Sequence, residues 1–269
     1  MSGTDKITEP GEGKIPAGMG RAERDSPLYP PLLGEIYDPP AVLYYRGRLP
    51  NPELPAVALV GTRRPSAAAS LQALKLGREF AFRGITVISG LALGIDALAH
   101  RGCLEGGGHT VAVLGSGLDE VYPVSNRILA RRILETGGAL VSEYENGVKP
   151  RKWHYPQRNR IISGMARGTV IVEAPAFSGA LHTARFALEQ GRDLFVASSG
   201  LASPLGAGTK KLADDGCRVV SRAVEVLEEW GIDVSAVEKN GGSRVFLRNE
   251  NAGDWAVSLA GSLREELGL

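Results

Sequence analysis

Seven short apolar runs, each closed by or followed by a small or polar residue, occupy the chain from Ala56 to Trp230. They read VALVGT (57–62), ITVISG (85–90), HTVAVLGSG (109–117), GALVSE (138–143), GTVIVEA (168–174), DLFVAS (193–198) and CRVV (217–220). Stretches of helical composition separate most of them: an Ala/Leu-rich segment to Arg83, a second to about Gly106, others over about 125–136 and 178–190, and a last one to Trp230. Runs this short and this uniformly apolar are buried on both faces. Alternation with helices then requires parallel strands joined by right-handed crossovers. The expected fold class is α/β, with one doubly wound, mainly parallel sheet of six to seven strands and helices on both faces.

The flanks lack this pattern. Residues 1–26 mix Gly, Pro and charge without a period and are expected to be a disordered tail. Residues 27–55 are proline-rich around one strand candidate, AVLYYRG (41–47), and form a lead-in segment expected to pack on the core. Residues 56–231 are the main domain. Residues 232–269 are polar and Gly/Asn-rich and end in a short amphipathic helix candidate, WAVSLAGSLREEL (255–267).

With 269 residues and 43% hydrophobic content, the chain carries enough apolar side chains for a sizeable core. Two cysteines, Cys103 and Cys217, are too few for a disulfide framework and suit the reducing cytoplasm. No run of 18 apolar residues is present to span a membrane, and the polar first ten residues do not read as a signal peptide. The formal charge of +1 gives no global attraction to nucleic acid or membrane, so any such binding must come from local clustering.

One cluster stands out. KPRKWHYPQRNR (149–160) holds five Lys and Arg, a Trp, a His and a Tyr, and no acid. Charge interleaved with aromatic faces suits single-stranded nucleic acid: cations follow the backbone, and each stacked base adds about 1–3 kcal/mol whatever its identity. The structural alternative turns Trp153 inward and leaves the arginines solvated or paired with Glu143 and Glu145.

Four more loops follow strand candidates, at the carboxyl edge where open parallel sheets bind ligands. GTRRPS (61–66) offers Gly61 for a tight turn, the Thr62 hydroxyl, the charges of Arg63 and Arg64, and Ser66 as a helix cap beside which a phosphate could sit. SGLALGIDALAH (89–100) places Ser89, Gly90 and Gly94 around a second helix start. Its Asp96 and His100, four apart, read as structural hydrogen-bonding groups because no third metal ligand accompanies them. GSGLDEVYP (115–123) starts like a dinucleotide fingerprint but has Glu120 where a small residue belongs. EAPAFSGALHTA (173–184) sets Ser178, Gly179 and Thr183 at another helix start, either as a phosphate seat or as an ordinary cap. No phosphate-binding P-loop and no Gly-x-Ser-x-Gly elbow occurs. Nicotinamide, flavin or any other cofactor is not expected, nor is a metal or a catalytic residue.

Taken in order, these loops resemble the DNA-processing protein A family (DprA, also called Smf). The carrying residues are VGTR (60–63), SGLALGIDALAH, LGSGLDEVYP (114–123), SEY (142–144), YPQRNRIISGMA (155–166) and VIVEAPAFSGALHTARFA (170–187), across about residues 40–230. The family pattern at the last of these, VxVEAxxxSGxxxTAxxA, leaves three positions open before the Ser-Gly pair.

The resemblance implies an extended Rossmann-like core in a non-enzymatic homodimer. It also implies binding of incoming single-stranded DNA and loading of the RecA recombinase in natural transformation. By position, it implies that Arg63 and Lys152 contact DNA and that Tyr155 stacks a base; the two charged loops themselves offer Arg64, Arg158, Asn159 and Arg160 as further candidates. The chain departs from the family pattern in having Tyr for Phe at 155, SSG at 198–200, GTK at 208–210 and alanines at 67–69. No sterile-alpha-motif or winged-helix pattern flanks the core. Two alternatives stay open: a phosphoribohydrolase-type enzyme, whose Pro-Gly-Gly loop is not matched here, and a small-nucleotide sensor.

Overall fold

The computed structural model describes residues 18–232. The amphipathic segment expected at 255–267, the rest of the C-terminal tail and the first part of the N-terminal one lie outside the described residues.

Nine strands form one sheet among the described residues. They are Met19–Glu23 (β1), Val42–Gly47 (β2), Ala56–Val60 (β3), Thr86–Ser89 (β4), Thr110–Val113 (β5), Ala139–Ser142 (β6), Gly168–Ile171 (β7), Asp193–Ala197 (β8) and Arg218–Val220 (β9). The last seven are the seven apolar runs, and every pairing among them is parallel. The order across the sheet is β1-β2-β6-β5-β4-β3-β7-β8-β9. The sheet therefore exceeds the expected six to seven strands by an antiparallel pair, with β2 against β6 and β1 against β2.

β1 falls in the segment expected to be a disordered tail, and the reason is physical. Of its five residues only Ala22 is buried. An edge strand held by its ladder of backbone hydrogen bonds needs no run of apolar side chains, so composition does not reveal it. Its exposed Arg21 and Glu23 pair with each other at 2.6 Å and keep the open edge charged, which discourages pairing with another chain.

The helices are Pro31–Gly34 (α1), Ala67–Phe82 (α2), Ile95–Glu105 (α3), Arg127–Glu135 (α4), His154–Gly164 (α5), Gly179–Glu189 (α6), Ser198–Ala202 (α7), Ala207–Asp214 (α8) and Ala223–Glu229 (α9). One face of the sheet is covered by α5 and α6, where Ile161, Ile162, Ala180 and Ala184 meet Val60, Ile88 and Val113. The other is covered by α2, α3 and α9, where Leu76, Phe80, Leu98 and Val226 meet Val57, Leu59 and Val170. Burial on both faces explains why these strands read as unbroken apolar runs rather than alternating ones.

β3 lies between β4 and β7. After β3 the chain builds β4, β5 and β6 to one side, then returns to lay down β7, β8 and β9 on the other. Such a reversal splays the two flanking loops apart and opens a crevice at the carboxyl ends of the strands.

Candidate nucleic-acid interface

A cleft of about 870 Å³ opens at this reversal. Three separate stretches of chain supply most of its walls, with Ala92, Asp96 and Tyr122 adding to them. The turn after β3 gives Gly61, Thr62 and Arg63; the basic stretch gives Arg151, Lys152 and Tyr155; the loop after β7 gives Phe177, Ser178 and Gly179. Asn159 lies on the cleft too, and its Nδ2 donates to the Gly179 carbonyl at 3.3 Å, tying two of the walls together.

Two residues 92 positions apart in sequence meet here: the Arg63 guanidinium carbon stands 5.6 Å from the centre of the Tyr155 ring. That is cation–π range. Tyr122 adds a second ring, 6.1 Å from Tyr155 and tilted by 49°. Burial pushes the Tyr155 hydroxyl above its ordinary pKa, with Tyr122 adding to the effect, so the ring is a neutral face at physiological pH. Arg63, Arg151 and Lys152 are exposed, and none of them is ion-paired to a carboxylate among the described residues. Trp153 is 60% exposed, with the Arg151 guanidinium 5.2 Å from its ring, so it does not pack inward.

The second half of the basic stretch differs from expectation. It is not loop but the first turns of α5, and the helix period carries some of its charge inward. Pro156, the third residue of that helix, is tolerated because the first-turn N–H groups have no intrahelical partner.

Arg158 is 4% exposed and donates to the carbonyls of Gly90, at 2.7 Å, and Val113, the ends of β4 and β5. It borders the cleft, yet its charge is spent on clamping α5 to the sheet. Burial lowers its pKa, and nearby Asp96 opposes that effect.

Arg160 is 6% exposed and donates to both oxygens of Glu143, at 3.0 and 2.8 Å, and to Asp38 at 3.2 Å. This corrects the reading of Arg160 as a DNA contact. It is a structural cation whose donors are occupied, and the alternative of pairing with Glu143 holds for it.

His154 is likewise buried, stacked on Tyr144 at 4.1 Å, with Nδ1 on the Gly115 carbonyl at 2.9 Å. The SEY triplet thus seats the start of α5. Glu143 holds Arg160, Tyr144 backs His154, and the Ser142 hydroxyl, which donates to the Ser116 carbonyl at 2.7 Å, accepts the Tyr144 N–H at 3.0 Å.

The turn after β3 is also partly used up by the chain. Ser66 caps α2, accepting from the Ala69 N–H at 3.2 Å. Fully buried Glu173, at the end of β7, accepts from the Ser66 N–H at 2.7 Å and the Ser66 hydroxyl at 2.8 Å. A carboxylate already sits at the positive end of α2, so a phosphate held at this turn relies on Arg63 and not on the helix start. The Thr62 hydroxyl accepts the Arg64 N–H at 3.2 Å, and the exposed Arg64 side chain does not line the cleft.

Ser89 is buried and donates to the Leu59 carbonyl at 2.6 Å, which removes it from the expected site. Gly90 and Gly94 are also explained by packing. A side chain at Gly90 would run into the Arg158 guanidinium. Gly94, at φ +74, lies against the backbone of Thr62 and Arg63.

Asp96 and His100 behave as the structural pair expected of them. Buried Asp96 accepts from the N–H groups of Gly90, at 3.1 Å, and Ala92, at 3.4 Å, and burial raises its pKa while Arg158 opposes that. His100 Nδ1 lies 2.7 Å from the Thr110 hydroxyl, which itself donates to the Val87 carbonyl, so Nδ1 carries the hydrogen. Among the described residues no group of three metal-ligating side chains converges.

Three participants carry little signal in the sequence. Tyr122 stands out only as half of a tyrosine-proline pair, and Phe177 is masked by its small neighbours Ser178 and Gly179. Glu173 shows only as an acid ending an otherwise apolar strand.

Comparison with known proteins follows the same residues. The family model described as DNA recombination-mediator protein A matches residues 22–231. The Smf protein of Synechocystis is 43% identical over 211 residues, covering 77% of this chain and 53% of that protein. The Smf protein of Escherichia coli is 41% identical over 226 residues, covering 82% and 58%. The chain thus spans a little over half the length of these two relatives.

Among solved structures, DNA processing protein A from Streptococcus pneumoniae superposes with a TM-score of 0.72 at 36% identity, covering 79% of this chain and 75% of that one. DNA processing protein A from Helicobacter pylori gives 0.68 at 28%, covering 79% and 95%. A matching family model over more than three quarters of the chain, on an α/β sheet of the same architecture, leads to one assignment: the chain belongs to the DNA recombination-mediator protein A family.

Proposed function

We propose that the cleft binds single-stranded DNA, with Arg63 and Lys152 on phosphates, Tyr155 under a base, and Gly61, Thr62, Asn159, Ser178 and Gly179 lining the path. The observation that carries this reading is the meeting of Arg63 and Tyr155 at the rim of the cleft, 5.6 Å apart, with no carboxylate paired to that arginine among the described residues. Cations beside a part-exposed ring suit a strand of phosphates and unpaired bases. The Helicobacter pylori relative supports it, since its structure is described as revealing a single-stranded DNA binding mode.

The family description, a recombination mediator, supports the further step that bound DNA is handed to the RecA recombinase. In this reading the protein acts in the cytoplasm as a homodimer and as a carrier rather than a catalyst. Among the described residues no helix is long and apolar enough to cross a membrane. A small-nucleotide sensor would enclose its ligand, whereas this cleft carries exposed Arg63, Lys152, Tyr122 and Phe177 on its rim.

The test is fluorescence anisotropy with single- and double-stranded oligonucleotides across a salt series. Single strands should bind more tightly, with a log–log salt slope of about −0.7 per phosphate neutralised. Arg63→Ala and Lys152→Ala should each weaken binding for all sequences and each flatten the slope by about 0.7. Wild-type binding by both variants at every salt concentration would end the proposal. Release of free base from a nucleoside monophosphate would instead revive the enzymatic reading.

A further inference from the structure

The loop from Pro175 to Ser178 carries one large side chain, Phe177, and that ring is 103% exposed. Burying a Phe is worth about 1.5–3 kcal/mol, and here none of that is realised. Isolated exposed apolar residues are common, and Tyr37 and Phe82 are exposed without lining the cleft, but the other three exposed aromatics among the described residues gather at it. Phe177 and Tyr122 border the cleft that holds Tyr155, and Trp153 adjoins it through Arg151.

The loop is also stiff. The Ala174 N–H donates to the Thr209 hydroxyl at 2.7 Å, and the Ala174 carbonyl accepts from the N–H groups of Gly208 and Thr209 at 2.8 and 3.2 Å. Ser178 N–H donates back to the Pro175 carbonyl at 3.1 Å, and the Ser178 hydroxyl caps α6. The ring is thus presented from an anchored backbone, so little entropy is lost when it takes a partner.

We propose that Phe177 is a second stacking platform, which takes another nucleobase of the same strand on the cleft wall formed by the loop after β7, while Tyr155 takes one on the wall formed by α5. This deepens the single-stranded DNA reading and rests on it. A phenyl ring has no hydrogen-bonding group, so the subsite accepts any base, and purines, with their larger faces, more strongly.

The experiment measures anisotropy of the full chain with a labelled oligodeoxyadenylate and with an abasic strand of equal length. Phe177→Ala should weaken binding to the base-bearing strand by roughly five- to hundred-fold, leave the salt slope unchanged, and leave the abasic strand bound as by wild type. Phe177→Trp should restore affinity, and Phe177→Leu should not. Equal losses on both strands would mean a contact to the backbone and overturn the stacking role, as would wild-type affinity of Phe177→Ala. Arg63→Ala, run alongside, separates the two ideas. If it weakens binding while Phe177→Ala does not, only the second platform is lost; if Arg63→Ala, Lys152→Ala and Phe177→Ala all bind as wild type, the DNA reading itself fails.

Discussion

Arg160 donates to both oxygens of Glu143 in surroundings that leave the two side chains 8% and 11% exposed, whereas Lys152, eight residues earlier on the same basic stretch, faces solvent at the cleft. A guanidinium held this way has little to offer a phosphate, and removing it strands a buried carboxylate. Arg160→Ala should therefore cost about 3–5 kcal/mol in urea unfolding, as breaking a buried pair does. The folded fraction should still bind DNA normally. A cost below about 1 kcal/mol, typical of exposed pairs, would show that Arg160 is not a structural cation. Arg158 follows the same logic with carbonyls in place of carboxylates. Sequence spacing alone treats all five cations of 149–160 as equivalent; burial divides them.

Helix α2, 16 residues long, shows how an element is fastened next to a binding site without offering its end to the ligand. Glu173 reaches from the end of β7 to the Ser66 N–H and hydroxyl, so the strand that supports the loop of Phe177 also locks the turn that presents Arg63. Glu173→Gln keeps the volume, removes the charge at the helix start, and puts an amide N–H where Ser66 donates. The expected loss is about 1–3 kcal/mol of stability, read by thermal unfolding. Because the Arg63 turn loosens as well, single-strand affinity should drop while the salt slope holds. Unchanged stability would mean that the carboxylate does not anchor α2. In α5 the element, not the residue, decides function: winding residues 154–164 into a helix sends Tyr155 to the cleft, beside Lys152 just ahead of the helix, and Arg160 to Glu143.

At the scale of the whole molecule, a sheet covered on both faces leaves titratable groups deep inside. His100 is fully buried, and burial, with Arg158 adding to it, pulls its pKa down from 6.5 to about 3. The folded imidazole stays neutral where the unfolded one takes up a proton. This contribution is therefore complete above about pH 6.5 and is lost progressively as pH falls toward about 3. Between about pH 7 and pH 5 it removes about 2 kcal/mol of stability. His100→Asn, which keeps a donor for Thr110 but does not titrate, should show a correspondingly smaller drop between those pH values in urea titrations. An identical drop in both proteins would place the acid sensitivity elsewhere.

What the amino-acid sequence determined by itself was whatever is encoded by neighbours along the chain. Strands buried on both faces are mostly apolar, and β3 to β8 appear as short runs from VALVGT to DLFVAS, whereas in the edge strand β9 only Val220 is buried. Their order with the helices then put the ligand loops at one rim. β1 stayed hidden because an edge strand is held by backbone hydrogen bonds that leave its side chains free to be Arg or Glu.

Only the tertiary structure decided which charges reach solvent. Arg160 finds Asp38 across 122 positions, and Arg158 finds Gly90 across 68. Likewise, only the reversal of strand order at β3 brings Arg63, Tyr155 and Phe177 to one cleft. Periodicity is a local quantity that a strand or helix carries wherever it goes, while the burial that separates a structural cation from a binding one exists only after distant elements have packed.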